Sequence, residues 1–376
     1  MNLIVRLGAA AALILVPLSQ LIAQDESGKL TIGGYGEVHY TNFTGPDTPG
    51  SVNVKRFVIY AGYAFNERIT LHSELELEDT KLEGGESGGE VALEQAFLDY
   101  RFSNAFTLRT GLLLPPIGII NETHEPPSFN GVERPDFDHD VIPTTWRDIG
   151  VGAVGQIPGV NGLSYRVFLV NGLKAEGFTA DEGIREGRQE GREASFANPS
   201  FTGRMEYAQA GLKVGGSFWY GGTANQVPGL GTGAFDAPVL VLTGDARYDH
   251  GPFALRAVAG TIEVYDADKI NAVYGQGVGR RIAGGYLEGG YNLLSFIAPK
   301  SSQRLNAFVR YDHYDTQAKA AAGTPDDPTL ARRITTFGLT YKPLWNVAFK
   351  ADYQLRNNEA GVGENEVLAL GVGYQF

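Results

Sequence analysis

Several short patterns in this 376-residue chain carry residue types that can do chemistry, and the context of each limits what that chemistry can be. Gly85-Glu86-Ser87-Gly88-Gly89 fits G-x-S-x-G, but a nucleophilic serine needs a strand, a sharp turn and a helix, and here a Gly- and Glu-rich loop joins two strand-like runs. Gly150-Val151-Gly152-Ala153-Val154-Gly155 fits G-x-G-x-x-G, yet it lies inside a strand-like run that stops at Pro158-Gly159, where no phosphate-binding helix can start. Asp136, Asp138 and Asp140, with His139 and the nearby His124-Glu125, offer oxygen and imidazole donors to a hard cation. They lack the glycine turn and terminal bidentate acid of a dedicated calcium loop, and read instead as a solvated acidic loop tip or part of a constriction. With 6 His, 0 Cys and no triad, no catalytic site, cofactor or metal centre is expected, and the chain is not read as an enzyme.

The charges that remain are arranged in stripes. Ile69, Leu71, Leu75 and Leu77 oppose His72, Glu74, Glu76 and Glu78; Val347, Phe349, Ala351, Tyr353 and Leu355 oppose Lys350, Asp352, Gln354 and Arg356. Alternation with period two is the mark of strands with one apolar and one polar face. The same reading sends Arg56, Arg101, Arg109, Arg166, Arg204, Lys213, Arg247, Arg256, Arg310, Lys350 and Arg356 to the polar face, with Glu37, Glu74, Glu76, Glu78, Asp99, Glu206, Asp245, Glu288, Asp312 and Asp352. Such charges can stiffen a wall as cross-strand ion pairs, with Glu74 to Glu78 near Arg101 and Arg109, or set a transverse field across a water-filled space. A formal net charge of -12 makes nucleic acid an unexpected partner.

The elements that must position these residues are strands. The composition, with 50 Gly, 18 Tyr, 20 Phe and only 2 Met, favours tight turns and aromatic-rich sheet. Alternating runs from 29–42 to 366–376 number about sixteen, and short connections alternate with long ones, as in a transmembrane antiparallel β-barrel with both termini on one side. Sixteen strands leave room for an aqueous lumen, and the segment 116–145 is too long for a hairpin loop, so it is read as a third extracellular loop folded inward at the narrowest point. The last strand sets Leu368, Leu370, Val372, Tyr374 and Phe376 on one face, and its ending, Tyr374 two residues before a terminal Phe376, resembles the assembly signal of outer-membrane barrels, which implies barrel-assembly machinery as a partner. Tyr63, Phe65, Phe102, Phe106, Phe253, Trp345, Phe349, Tyr374 and Phe376 are expected in an aromatic girdle. Residues 1–23, with Arg6 before an apolar run, read as a signal peptide, leaving 24–376 as the barrel domain.

The motifs Leu93-Glu94-Gln95-Ala96-Phe97-Leu98-Asp99-Tyr100, Arg109-Thr110-Gly111, Pro115, Gly118, Glu133-Arg134-Pro135 and Trp146-Arg147-Asp148-Ile149-Gly150-Val151 resemble, in order and spacing, the phosphate-selective porin O and P family. The likeness continues more diffusely through Gly203-Arg204 to the terminal strand. It implies a sixteen-stranded porin, usually a homotrimer, with a constriction loop after the fifth strand. Phosphate-selective members line that constriction with clustered Arg and Lys, whereas 116–145 here carries Glu122, Glu125, Glu133, Asp136, Asp138 and Asp140 against Arg134 alone.

The expected constriction is therefore Glu122, Glu125, Glu133, Arg134, Asp136 and Asp138, opposed by Arg101, Arg109 and Arg166, with Glu74 and Glu76 also on the wall. The expected function is passive diffusion of small hydrophilic or ionic solutes across the bacterial outer membrane, anions such as phosphate among them. The alternatives are a barrel plugged by 116–145 with an adhesive or surface-structural role, and a secreted soluble β-protein that binds glycans. Outer-membrane lipid is the expected surroundings, and the charged run 181–193 is read as a solvated loop touching lipopolysaccharide or a neighbouring subunit.

Overall fold

The computed structural model describes residues 28–44, 49–79, 89–363 and 365–376; the expected signal peptide and most of Gly85–Gly89 lie outside these. The chain forms β1 (Lys29–Phe43), β2 (Ser51–Ala64), β3 (Ile69–Glu78), β4 (Glu90–Ser103), β5 (Phe106–Leu113), β6 (Asp148–Gln156), β7 (Leu163–Val170) and β8 (Ser200–Gln209). It continues with β9 (Leu212–Gly221), β10 (Val239–His250), β11 (Phe253–Val264), β12 (Arg281–Asn292), β13 (Arg304–Lys319), β14 (Ala331–Leu344), β15 (Val347–Asn358) and β16 (Val367–Gln375). Each strand pairs antiparallel with its neighbours in sequence, and β16 pairs back onto β1 from Tyr35↔Gln375 to Phe43↔Val367, closing the barrel. Closure satisfies every strand edge internally, which a sheet in lipid requires.

The faces follow the alternation. Leu242, Leu255, Leu287, Val309, Leu339 and Leu370 are exposed on the outside, while Val241, Val258, Tyr286, Phe308 and Ala369 are buried inside. An apolar outer wall on a closed barrel is a surface for lipid, so the soluble glycan-binding alternative does not describe this fold. Phe65, Phe102, Phe106, Phe253, Trp345, Phe349 and Phe376 stand exposed near the strand ends that carry the short turns. Those turns are tight: Ala210 and Gly211 alone link β8 to β9, both with positive φ (51° and 85°), the geometry that matches the twist of the flanking strands. At the opposite end the connections are long, and one holds a helix, α1 (Ala267–Tyr274), that alternation could not reveal.

Candidate functional site

The connection between β5 and β6, residues 114–147, enters the barrel instead of covering its mouth. Prolines at 115, 116, 126, 127, 135 and 143 deny it the hydrogen-bond ladder of a strand, and it makes only a 3₁₀ turn at Pro126–Ser128 and a wide helical turn at Phe137–Val141. Its apolar side chains decide its course. Ile117, Ile120, Phe137, Ile142 and Trp146 are buried against inward residues of the β9–β14 wall, including Trp219, Val258, Ile262, Tyr286 and Ile334. Trp146 and Trp219 meet with ring centroids 5.4 Å apart. The following long connection, 171–199, adds Leu173, Phe178 and Ile184 to the same core. One side of the lumen is thus filled like a protein interior.

Polar contacts pin the loop across the remaining width. Asn130 Nδ2 donates to Glu288 Oε1 at 2.9 Å, Val132 N to Asp352 Oδ2 at 2.6 Å, and Lys350 Nζ stands 3.7 Å over the Phe129 ring. Against β16 the Pro126 ring comes so close that a Cβ at Gly373 would stand 2.3 Å from Pro126 Cβ. Gly373 is needed for that approach, which shows why the inner face of the last strand is so small.

The expected constriction residues are dispersed by this path. Glu122 pairs with Arg166 at 3.2 Å, and Asp136 with Arg356 at 2.9 Å. Glu133 binds His39 Nδ1 at 2.8 Å and stays half-exposed, whereas Arg134 is 7% exposed with no ion pair among the described residues. Glu125 makes no ion pair among them either; its carbonyl accepts from Ser128 N. Asp138 is wholly buried beside Gly118 and lines no aperture. That burial pushes its carboxyl up to about 7, because a charged oxygen there lacks water. Asp140 meets Tyr314 and Arg332. The three aspartates therefore turn to separate surroundings and form no common cation site.

Three wall readings need correction. Arg101 sits at the short-turn rim, donating to Glu67 O at 2.7 Å, and does not oppose the loop. Arg109 is held by both oxygens of Asp99, at 2.8 and 2.9 Å, over the Phe97 ring, so its charge is spent within the wall. Neither arginine meets Glu74 to Glu78: Glu76 and Glu78 face Arg56, and Glu74 accepts from Gln95 Nε2 at 2.7 Å. Other wall charges do pair across strands, such as Arg204 with Asp245 at 2.6 Å and Arg310 with Glu288 at 3.5 Å. The run 181–193 also turns inward, with Arg185 Nη1 donating to Thr144 O at 3.0 Å and Arg188 Nη1 to Pro143 O at 3.3 Å. Phe178 and Ile184, apolar residues in a polar loop, were the signal for that.

Among the described residues, the inward loop bounds a polar space on each side. On the short-turn side a cavity of 640 Å³ is lined by Lys213, Arg247, Arg256, Arg304 and Lys342, with Asp249 and Glu288 as its acids. On the long-loop side a smaller cavity of 130 Å³ gathers Lys55, Arg56, Arg134, Arg147, Arg185 and Arg188 among Glu76, Glu78, Glu90, Glu133 and Glu190. Arg147, Arg185, Arg188, Arg304 and Lys342 lie outside the strand stripes that were read for charge, or at their ends, so alternation could not place them.

Solved structures share this architecture at low identity. OmpF of Salmonella typhi, solved with daunomycin, aligns at a TM-score of 0.61 with 16% identity, covering 94% of this chain and 99% of that one. The outer membrane channel DcaP of Acinetobacter baumannii aligns at 0.61 with 12% identity over 94% and 99%. The trimer form of OmpT, an outer membrane protein of Vibrio cholerae, gives 0.56 with 12% identity over 93% and 99%. Fold, lipid-facing wall and inward loop together make this chain a porin-like barrel of the bacterial outer membrane. No family model matches it. An uncharacterized protein of Aquifex aeolicus is 35% identical over 372 residues, 96% of this chain and 83% of that protein, and the chain belongs to one family with it.

Proposed function

We propose that the barrel is a narrow passive channel for small anionic solutes, related to the phosphate-selective porin O and P family. The observation that carries this reading is the charge around the 640 Å³ chamber: Arg256 pairs with Asp249 at 2.9 Å, Arg247 with Glu206 at 2.7 Å and Glu288 with Arg310 at 3.5 Å, which leaves Lys213, Arg304 and Lys342 with no ion pair among the described residues. The acidic residues of the inward loop weigh little against it. Asp136 and Asp140 face arginines, Glu122 faces Arg166 and Asp138 is buried. A low-dielectric wall focuses the remaining positive potential into the lumen and enriches anions there.

Purified protein in a planar bilayer tests this. A stepwise conductance with a reversal potential favouring chloride over potassium, reduced by added phosphate, supports the reading. A cation-selective channel refutes it. A second reading rests on the apolar core formed by residues 114–147 and 171–199: a closed barrel with a surface-structural role, which a silent bilayer would favour.

A further inference from the structure

His124 of the inward loop meets two wall carboxylates, Glu74 of β3 and Glu94 of β4, with one ligand atom from each lying within 4.8 Å of the others. His124 Nδ1 lies 3.1 Å from Asn121 O, and a carbonyl only accepts, so Nδ1 carries the proton. Nε2 is left facing Glu94 Oε2 at 3.4 Å, which requires a second proton or a cation between them. Donors about 2.1 Å from a tetrahedral ion stand roughly 3.4 Å apart, so the His124–Glu94 spacing fits a metal, with Glu74 within 4.8 Å of both.

The surroundings are those of a prepared site. Glu94 is 0% exposed and His124 4%, and Glu94 Oε1 is buried without a hydrogen-bond partner among the described residues. Each donor has an outer partner: Gln95 Nε2 holds Glu74 Oε2 at 2.7 Å, Tyr35 Oη reaches Glu94 Oε2 at 3.4 Å, and Asn121 O orients the imidazole. Asn121 is itself fixed by Trp146 N at 2.8 Å and Pro115 O at 2.7 Å. Imidazole with two carboxylates suits a borderline divalent ion such as Zn²⁺ or Co²⁺ with water completing the shell, and suits Ca²⁺ less well because nitrogen is a poor ligand for it.

We propose that Glu74, Glu94 and His124 bind one divalent transition-metal ion, which ties the inward loop to the β3–β4 wall. The test is binding, independent of conduction, so its failure and that of the channel reading are separable. Metal-free, folded full barrel is titrated with ZnCl2 by calorimetry and with CoCl2 by visible absorption. The expected result is one equivalent per chain, weakened at least about a hundredfold by Glu94→Gln or His124→Gln and about tenfold by the outer-partner variant Gln95→Ala. His250→Ala, at a short turn, should bind like the parent protein. Heat-modifiable migration checks that each variant is folded; Glu74→Gln, at a half-buried position, replaces any that is not. Absence of stoichiometric binding in the parent protein overturns the proposal, as does binding unchanged in the folded ligand variants.

Discussion

Replacing Trp146 with Ala tests what holds the inward loop. Trp146 is 0% exposed and packs on Trp219 with centroids 5.4 Å apart. Truncating a buried aromatic of this size costs about 3–5 kcal/mol in lost transfer energy and cavity formation. Its backbone contacts with Asn121 do not involve the indole and persist. Losing the Asp136–Arg356 contact at 2.9 Å through Asp136→Asn should cost only about 1 kcal/mol, since its partners are partly wet. If docking is governed by the apolar core, Trp146→Ala raises the undocked population roughly a hundred- to a few-thousand-fold. Two assays read this. Trypsin should reach Arg147, 6% exposed in the docked loop, and bilayer recordings should show added openings of larger amplitude. Parental trypsin resistance and current in Trp146→Ala, or a larger effect from Asp136→Asn, would refute the reasoning.

The basic chamber predicts that Arg256→Glu combined with Lys342→Glu lowers the anion-to-cation permeability ratio roughly severalfold, read from the reversal potential in a salt gradient. Gly373→Ala places a Cβ 2.3 Å from Pro126 and should destabilise the docked loop by about 1–3 kcal/mol, seen as a lower melting temperature of the heat-modifiable form. Asp138, raised to about 7 by burial, holds its proton in the folded protein where the unfolded chain has lost it. Its contribution is present at pH 4 and disappears as the pH rises to about 7, by an amount on the order of a few kcal/mol. Asp138→Asn should therefore flatten the fall in stability between pH 4 and pH 7, and an unchanged pH profile in melting experiments would contradict the burial argument. Deleting Phe376 removes the paired bonds with Gly34, at 3.0 and 2.8 Å, that end the β1–β16 seam; the fraction of heat-modifiable barrel in membranes should drop.

How much was legible in the sequence depends on the range of the interactions involved. Period-two alternation identified the sixteen strands, and Leu368, Leu370 and Val372 face outward as their spacing required. The sorting of short and long connections matches the two ends of the barrel, and the length of 116–145 marked a loop that could not be a hairpin. Alternation also placed Glu74, Glu76, Arg109 and Arg166 inside, but not what each meets. Arg109 joins Asp99 rather than the loop because antiparallel register sets those two residues opposite each other.

The course of the loop was not legible, since it is set by packing between residues more than 70 positions apart, such as Trp146 with Trp219. That packing buries Asp138, turns Asp136 to Arg356 and carries His124 to Glu94. By itself the sequence determined a lipid-facing barrel with a charged interior, because strand alternation and turn chemistry are local. Only the tertiary structure decided which charges face open space, because that depends on where an irregular loop buries its apolar side chains inside the closed sheet.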